Sequence, residues 1–460
     1  MDLAEAARAV GGALRGEDVR FDAVSTDSRA LRRGSLFVAL RGERFDGHDF
    51  VAAAAGAGAA AALVDAAWAG AHADAPLPLV VADDARAALG RLAAAWRSRF
   101  PIPLVALTGS NGKTTVKEML ASILREASGN PDAVLATQGN LNNDIGVPLM
   151  LLRLRGHHRF AVIEMGMNHA GEIAYLTRLA RPTVALVTNA GQAHVEHLGS
   201  VEAVARAKGE IFESLRPEGT AVLNADDAHA SLWRERVADH RVVDFGLDRP
   251  AAVSAAVTLL ADGAELDLRL PGGGCRARLS VPGRHNVRNA LAAAAAAVAL
   301  GVAPEAIGRG LTKFHGVAGR LATVTGRNGA RLIDDTYNAN PQSMRAALEV
   351  LAQRPGRRLF VMGDMGELGP DAPALHRGIG AAARELGVER LYALGEHSRE
   401  AVAAFGDGGR WYERIEELLA DIENELAPGV TVLVKGSRFM RMERAVRLLA
   451  ADAPRAGDGG

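Results

Sequence analysis

Cysteine is nearly missing: Cys275 is the single one in 460 residues. That excludes an intrachain disulfide and a zinc site built from cysteines, and it fits a reducing compartment. No apolar run is long enough to cross a bilayer. The longest, "ALAAAAAAVALGVA" near residue 290, is mostly alanine and reads as a buried helix. An excess of either charge is also missing. Lys plus Arg number 53 against 54 Asp plus Glu, so neither a nucleic-acid footprint nor a polybasic membrane anchor is expected. The opening "MDLAEAARAVGGALRG" has early acids and no long apolar core, so it is not expected to be a signal peptide. A cytoplasmic protein is the expectation. No internal repeat is visible.

What is present is too long for one hydrophobic core. Residues 1–82 mix short strand-like runs ("SLFVAL", "AALV", "LPLVV") with Ala- and Gly-rich helical ones. "DDARAALGRLAAAWRSRF" then reads as a helix leading to "PIP", which places a boundary within 83–103. From residue 104, apolar strands ("PLVAL", "FAVIEM", "TVALVTN", "TAVLNAD") alternate with amphipathic helices. Val116, Met119, Leu120, Ile123 and Leu124 mark one face at helical spacing. Such alternation implies an α/β domain with a mostly parallel sheet, whose ligands bind beyond the carboxyl ends of the strands. After residue 318 it restarts with "ARLIDD", "RLFVMGD", "RLYALG" and "TVLVKGS". The expected domains are therefore 1–82, 83–317 and 318–452, with a disordered tail at 453–460.

The strongest chemical signal is "LVALTGSNGKTTVKEML". Gly109 and Gly112 let backbone N–H groups of the loop, with Ser110 and Asn111 between them, turn toward an anion at a helix N-terminus. Lys113 supplies a charge for outer phosphates, and Thr114 or Thr115 a hydroxyl for Mg²⁺. Leu107 stands where the usual phosphate-loop pattern has a glycine. The plain alternative is a simple strand-to-helix turn. The loop says nucleotide phosphate without separating kinase, ATPase and ligase.

Other residues at strand ends carry weaker signals. Glu164 closes "FAVIEM", where it is either a Mg²⁺ carboxylate or a solvated strand-end residue. His194 and His197 flank Glu196; a zinc site lacks further ligands, so one histidine facing a phosphate or metal suits them better. Lys208 falls on the apolar stripe of Val201, Val204, Ile211 and Leu215. It either snorkels or is desolvated with a lowered pKa. A neutral buried amine can take up CO₂ and become a metal-binding carbamate. "LIDDTYNANPQSM" gathers Asp334, Asp335, Tyr337, Asn338 and Asn340, suited to a ribose or polar substrate, with Asn340 as helix cap. Lys435 and Arg438 suit a substrate carboxylate. The hydroxyl- and arginine-rich "STDSRALRRGS" near Ser28 and Arg29 could hold an anionic or nucleotide-like ligand.

The order of these motifs resembles the Mur ligases, the ATP-dependent amide-forming enzymes of bacterial peptidoglycan synthesis. The resemblance runs from "STDSR" and "GSLFVAL" through "TGSNGKTT", "IEMGMNHAGEI", "TNAGQAHVEHLGS", "AKGEIF" and "GRHNVRNALAA" to "DDTYNANPQSM", "GDMGELG" and "VLVKGSR". The last group looks like the members that add D-alanyl-D-alanine to UDP-N-acetylmuramoyl-tripeptide, and the Asp-Asn-Pro-Arg signature of other members is missing. The resemblance implies a three-domain α/β architecture: a small N-terminal UDP-substrate domain, a central P-loop-type parallel-sheet domain and a Rossmann-like C-terminal domain. It further implies ATP, two Mg²⁺, a carbamylated Lys208, small-molecule substrates and a monomer. Lys113, Thr114, Glu164 and His194 would meet phosphate and metal, Asn143 a phosphate, and Asn286, Arg320 and Asp335 adenine, phosphate and ribose. Rival expectations are another Mur ligase, a folylpolyglutamate synthase-like ligase, or an ATPase switch that makes no amide.

Overall fold

The computed structural model describes residues 1–192 and 195–452. His194 and the segment expected as a tail, 453–460, lie outside the described residues. Three α/β units follow one another. The first sheet runs, edge to edge, Ala13–Arg15, Leu79–Ala82, Ala61–Asp65, Ser35–Val38, Ala23–Ser25, and only its first pair is antiparallel.

The central sheet has six parallel strands in the order Arg241–Phe245, Thr220–Asn224, Val184–Val187, Leu104–Thr108, Phe160–Glu164, Val134–Ala136. Its strands are continuous apolar runs, as burial on both faces demands. Leu104, Val105, Ala106 and Leu107 are all inaccessible to solvent. One face packs on Lys113–Ser128, whose apolar stripe of Val116, Met119, Leu120, Ile123 and Leu124 is fully buried, and on the alanine-rich helix Arg284–Ala299. The other face carries Ala85–Arg97 and Glu172–Ala180.

An antiparallel meander, Ser254–Leu260, Gly263–Leu270 and Gly273–Leu279, sits beside this unit. It is absent from the sequence reading above. Its middle strand alternates buried Ala264, Leu266, Leu268 and Leu270 with exposed charges, the period-2 signal of a half-buried strand.

The C-terminal sheet runs Ala322–Thr325, Arg331–Asp335, Val430–Lys435, Arg357–Gly363, Arg390–Leu394, Gly409–Tyr412, parallel except for its first strand. Among the described residues no helix is long and apolar enough to cross a membrane. The carboxyl ends of the central and C-terminal sheets face one cleft.

Candidate active site between two sheets

That cleft encloses ≈ 1360 Å³, more than one drug-sized ligand fills. Its central wall is the loop from Gly109 to Lys113. The loop is held open by its neighbours rather than by itself. Thr188 Oγ1 donates to the Asn111 carbonyl (2.7 Å), and the Asn111 N–H donates to Asn189 Oδ1 (2.9 Å). The Ser110 N–H donates to the Asn189 carbonyl (3.0 Å). Behind them Asn224 Nδ2 donates to the Thr188 carbonyl (2.8 Å), and Asp227 accepts the Ala190 N–H (2.9 Å). Two glycines are obligatory. A Cβ on Gly109 would lie 1.8 Å from Thr188 Oγ1, and one on Gly112, at φ +82°, would lie 2.2 Å from Asn289 Oδ1.

Lys113 Nζ donates to the Gly109 carbonyl (2.7 Å), curling over the loop. Burial lowers its pKa, with the Glu164 carboxylate acting in the opposite sense. Glu164 itself is 2% exposed. Its Oε1 accepts from Asn142 Nδ2 (2.8 Å), while Oε2 is buried without a hydrogen-bond partner. Thr108 Oγ1, just ahead of the loop, is likewise buried and unpartnered. Orphaned buried oxygens are costly and need an explanation. A divalent cation fits Glu164 Oε2, which lines the cleft. Mg²⁺ uses one or two carboxylates and completes its shell with phosphate and water. Consistently, no cluster of three His, Cys, Asp or Glu able to hold a metal occurs among the described residues.

Lys208, on the helix Val201–Gly209, is 1% exposed. No carboxylate pairs with it among the described residues. Burial first, and then the nearby Lys113 charge, push its pKa well below the ordinary lysine value. Of the two sequence alternatives, snorkelling is overturned: the head is buried with the stem.

The C-terminal unit supplies the opposite wall and touches the loop directly. Asn340 Nδ2 donates to Asn111 Oδ1 (2.8 Å), and Asn111 Nδ2 donates to Gln342 Oε1 (3.1 Å). Arg320 Nη2 donates to Thr114 Oγ1 (3.0 Å), and its guanidinium lies 4.3 Å from the Tyr337 ring centroid. Thr115 lines the cleft, so both threonines of the motif stand at the site. Asn340 also caps the helix Pro341–Ala352 in a capping box with Ser343. Asn286 lies on the cleft wall, its amide shared between the Pro282 carbonyl (2.7 Å) and Asn289 (3.1 Å).

Two expectations need correction. Lys435 does not wait for a substrate carboxylate: it is 2% exposed, and Nζ is bound to Asp335 Oδ2 (2.6 Å) and the Asn338 carbonyl (2.9 Å). Asp335 is accordingly half committed, and its Oδ1 accepts the Leu321 N–H (3.2 Å). Asn143 reaches the cleft wall, but its Oδ1 accepts the Gly146 N–H (2.8 Å) at a helix start. Its neighbour Asn142 is the one on Glu164. Ser28 and Arg29 lie outside the cleft, and Arg29 is exposed and paired with Asp27 (2.8 Å). Tyr337, Asn338 and Arg438 do line the cleft. His194 cannot be placed, since it lies outside the described residues.

Sequence reasoning also missed Asn142, Thr188 and Asn289. Asn289 had a signal: with Asn286 it puts amides three residues apart on a helix otherwise buried as alanine.

Comparison with known proteins matches this arrangement to three family models in chain order: Mur ligase family, catalytic domain, over residues 20–97; Mur ligase middle domain over 107–297; and Mur ligase, glutamate ligase domain, over 319–438. The chain belongs to the Mur ligase family. A relative from Escherichia coli (strain K12), UDP-N-acetylmuramoyl-tripeptide--D-alanyl-D-alanine ligase, is 43% identical over 96% of both chains. A crystal structure of MurF from Acinetobacter baumannii superposes with a TM-score of 0.89 at 38% identity, covering 97% of this chain and 98% of the other. MurF ligase from Thermotoga maritima in complex with ADP superposes with a TM-score of 0.80 at 27% identity, covering 93% and 96%. The three-domain Mur ligase architecture read from the motifs is thus the observed one.

Proposed function

We propose that this chain is an ATP-dependent ligase that joins D-alanyl-D-alanine to the tripeptide carboxylate of UDP-N-acetylmuramoyl-tripeptide. The observation that carries the reading is full-length similarity to MurF enzymes combined with a phosphate loop touched by C-terminal Asn340, Gln342 and Arg320. An ATPase switch needs no such second wall or room for two further substrates. The enzyme acts as a monomer in the cytoplasm, with domain limits at 1–82, 83–317 and 318–452. Every strand of the first, central and C-terminal sheets falls inside one of those spans.

The reaction runs through an acyl phosphate. A tripeptide carboxylate oxygen attacks the γ-phosphorus of ATP and ADP leaves. The dipeptide amine then attacks the acyl carbon, and the C–O bond to phosphate breaks. Lys113 would neutralise charge on the outer phosphates, and the loop N–H groups other than those of Ser110 and Asn111, which bond Asn189, would hold the rest of the polyphosphate. Glu164 and Thr114 would hold Mg²⁺, which supplies charge stabilisation at the phosphoryl and acyl oxygens. Lys208 as a carbamate would add a second oxygen ligand set, and its neutral, buried amine suits that modification. The placing of His194 beside a second Mg²⁺ rests on the family pattern alone. Arg320 closes on the loop and Asp335 offers its remaining lone pairs toward the nucleotide. Ser28 and Arg29 would meet the UDP part, away from the cleft. Shielding by the C-terminal wall keeps water from the acyl phosphate.

The test is ADP release from MgATP and UDP-N-acetylmuramoyl-tripeptide, with and without D-Ala-D-Ala, with the product weighed by mass spectrometry. Pentapeptide formed only with both substrates is expected. ADP release indifferent to every acceptor amine would overturn the ligase reading.

A further inference from the structure

At the end of the central sheet away from the cleft, three arginines come together with no acid to balance them. Arg97, Arg181 and Arg216 line a pocket of ≈ 300 Å³ with Ser98, Pro217 and Glu218. Each arginine stands on a different segment. Arg97 ends the helix Ala85–Arg97, Arg181 follows the helix Glu172–Ala180, and Arg216 precedes the strand Thr220–Asn224. The Arg216 N–H donates to the Pro182 carbonyl (3.3 Å) and the Thr220 N–H to the Thr183 carbonyl (3.0 Å), which ties the last two segments. The phosphate loop leaves the opposite, carboxyl end of the strand Leu104–Thr108, a strand length of roughly 15 Å away. None of the residues lining this pocket lines the cleft.

Arg97 decides what the pocket is for. It is 2% exposed. Its guanidinium donates to the carbonyls of Ala180 (3.0 Å), Phe100 and Ile102 (3.1 Å), all of them neutral. Burial first, and then the charges of Arg216 and Arg181, push its pKa down to about 10. Among the described residues no carboxylate pairs with any of the three arginines. Glu218, the one acid on the lining, is exposed. A buried cation without a counter-charge is costly. The carboxyl ends of two helices supply a partial negative charge, which accounts for one arginine here but not for three. Guanidinium groups stay charged at any working pH and present forks that match phosphate oxygens. The pocket lies at the lower limit of ligand cavities, so it suits a small anion.

We propose that Arg97, Arg181 and Arg216 form an accessory site for a phosphate-type oxyanion, either free phosphate or the phosphoryl group of a small ester. The anion supplies the missing counter-charge and ties together the segments that lead into the strands Leu104–Thr108, Val184–Val187 and Thr220–Asn224. Its binding acts on the stability of the central unit and leaves the chemistry at the far end of the sheet unchanged. The inference does not depend on the ligase reading.

The experiment is thermal unfolding of the full chain at constant ionic strength, with chloride exchanged for inorganic phosphate or for glycerol phosphate. The main variant carries Arg181→Ser and Arg216→Ser together, and Arg97 is kept because its bonds hold the backbone. Phosphate should raise the wild-type Tm by about 2 to 4 °C over chloride, and the double variant should lose that rise. In chloride the double variant should melt at or above the wild type, since like charges have been removed. Glu218→Gln should enlarge the rise, because an acid that repels the anion is gone. A rise with both probes assigns the site to phosphoryl groups in general, and a rise with one alone assigns it to that source. No rise in the wild type with either probe, or an equal rise in wild type and double variant, overturns the site. Should the double variant not fold, Glu218→Gln decides, and a rise no larger than the wild type's overturns the site. Pentapeptide synthesis by the folded double variant should stay within about twofold of the wild type. Absence of pentapeptide from the wild type would count against the ligase reading alone.

Discussion

The central and C-terminal sheets end in similar polar clusters, yet the two ends are built differently. At the central sheet, two side-chain oxygens are buried and left wanting, Glu164 Oε2 and Thr108 Oγ1, and the Lys208 amine is buried without a carboxylate partner among the described residues. At the carboxyl ends of the C-terminal sheet, the carboxylates are matched by neighbours, Asp335 with Lys435 and Asp364 with Ser398, although Arg320 Nε beside the cleft is buried without a partner. The first end keeps its polar capacity for something that arrives. The second spends it on fixing the loops that carry Tyr337, Asn340 and Glu367. Chemistry and shape are thus divided between two sheets, and a substitution should reveal which sheet it belongs to by whether turnover or stability falls.

The largest effect should come from Lys113→Ala. ADP formation should fall at least about 1000-fold, as when a main electrostatic stabiliser is removed, while the UDP-linked substrate still binds. Near-normal turnover would break the assignment of the central edge to phosphate chemistry.

Lys208 and Lys435 sharpen the contrast, because both are buried lysines on opposite sides of it. Lys208→Met should abolish most turnover yet leave the melting temperature unchanged or higher, since a desolvated amine without a partner is removed. Bicarbonate enriched in ¹³C should give a carbamate resonance with the wild type that this variant lacks. Lys435→Met should instead lower stability by about 2 kcal/mol in urea unfolding, because the half-buried Asp335 carboxylate keeps only the Leu321 N–H. If the two variants behave alike, the division fails.

Asn142→Ala should cost about tenfold in kcat/KM, because it orients the carboxylate that would hold the metal. Asn143→Ala should act on stability through the lost hydrogen bond from the Gly146 N–H, by about 1 kcal/mol. Paired assays of the two neighbours separate the roles.

The smallest effect is a pH slope. Burial pushes the His285 imidazole down to about 4. The unfolded chain takes up that proton from about pH 6.5, the folded chain only near 4. Stability is therefore full above 6.5 and declines as pH falls toward 4. His285→Asn should flatten the fall of melting temperature across this window.

Much of this was legible before the structure. Strand–helix alternation is a burial signal, and it placed the two large sheets. The phosphate loop was legible because glycine, lysine and threonine at that spacing leave few other uses. Lys208 was legible as a lysine on an apolar stripe, although its surroundings alone decide whether the amine reaches water. The meander at 254–279 was passed over because its alternation is masked by Gly-rich turns and few large apolar residues. Asn142 and Asn143 were indistinguishable, since adjacent identical side chains differ only in where the backbone aims them. Lys435 was misread because a lysine after a strand looks the same whether its partner is a ligand or Asp335 on the adjoining strand. Contacts between distant segments, such as Asn111 with Asn340, leave no local pattern at all.

The close approach at Gly109 and Gly112 has a consequence for inhibitor resistance. A side chain at either position would strike Thr188 or Asn289. A compound resting against the loop backbone there would meet a surface that single-codon changes can hardly reshape. Escape would have to come from less constrained walls of the cleft, where exposed side chains such as Phe439 stand.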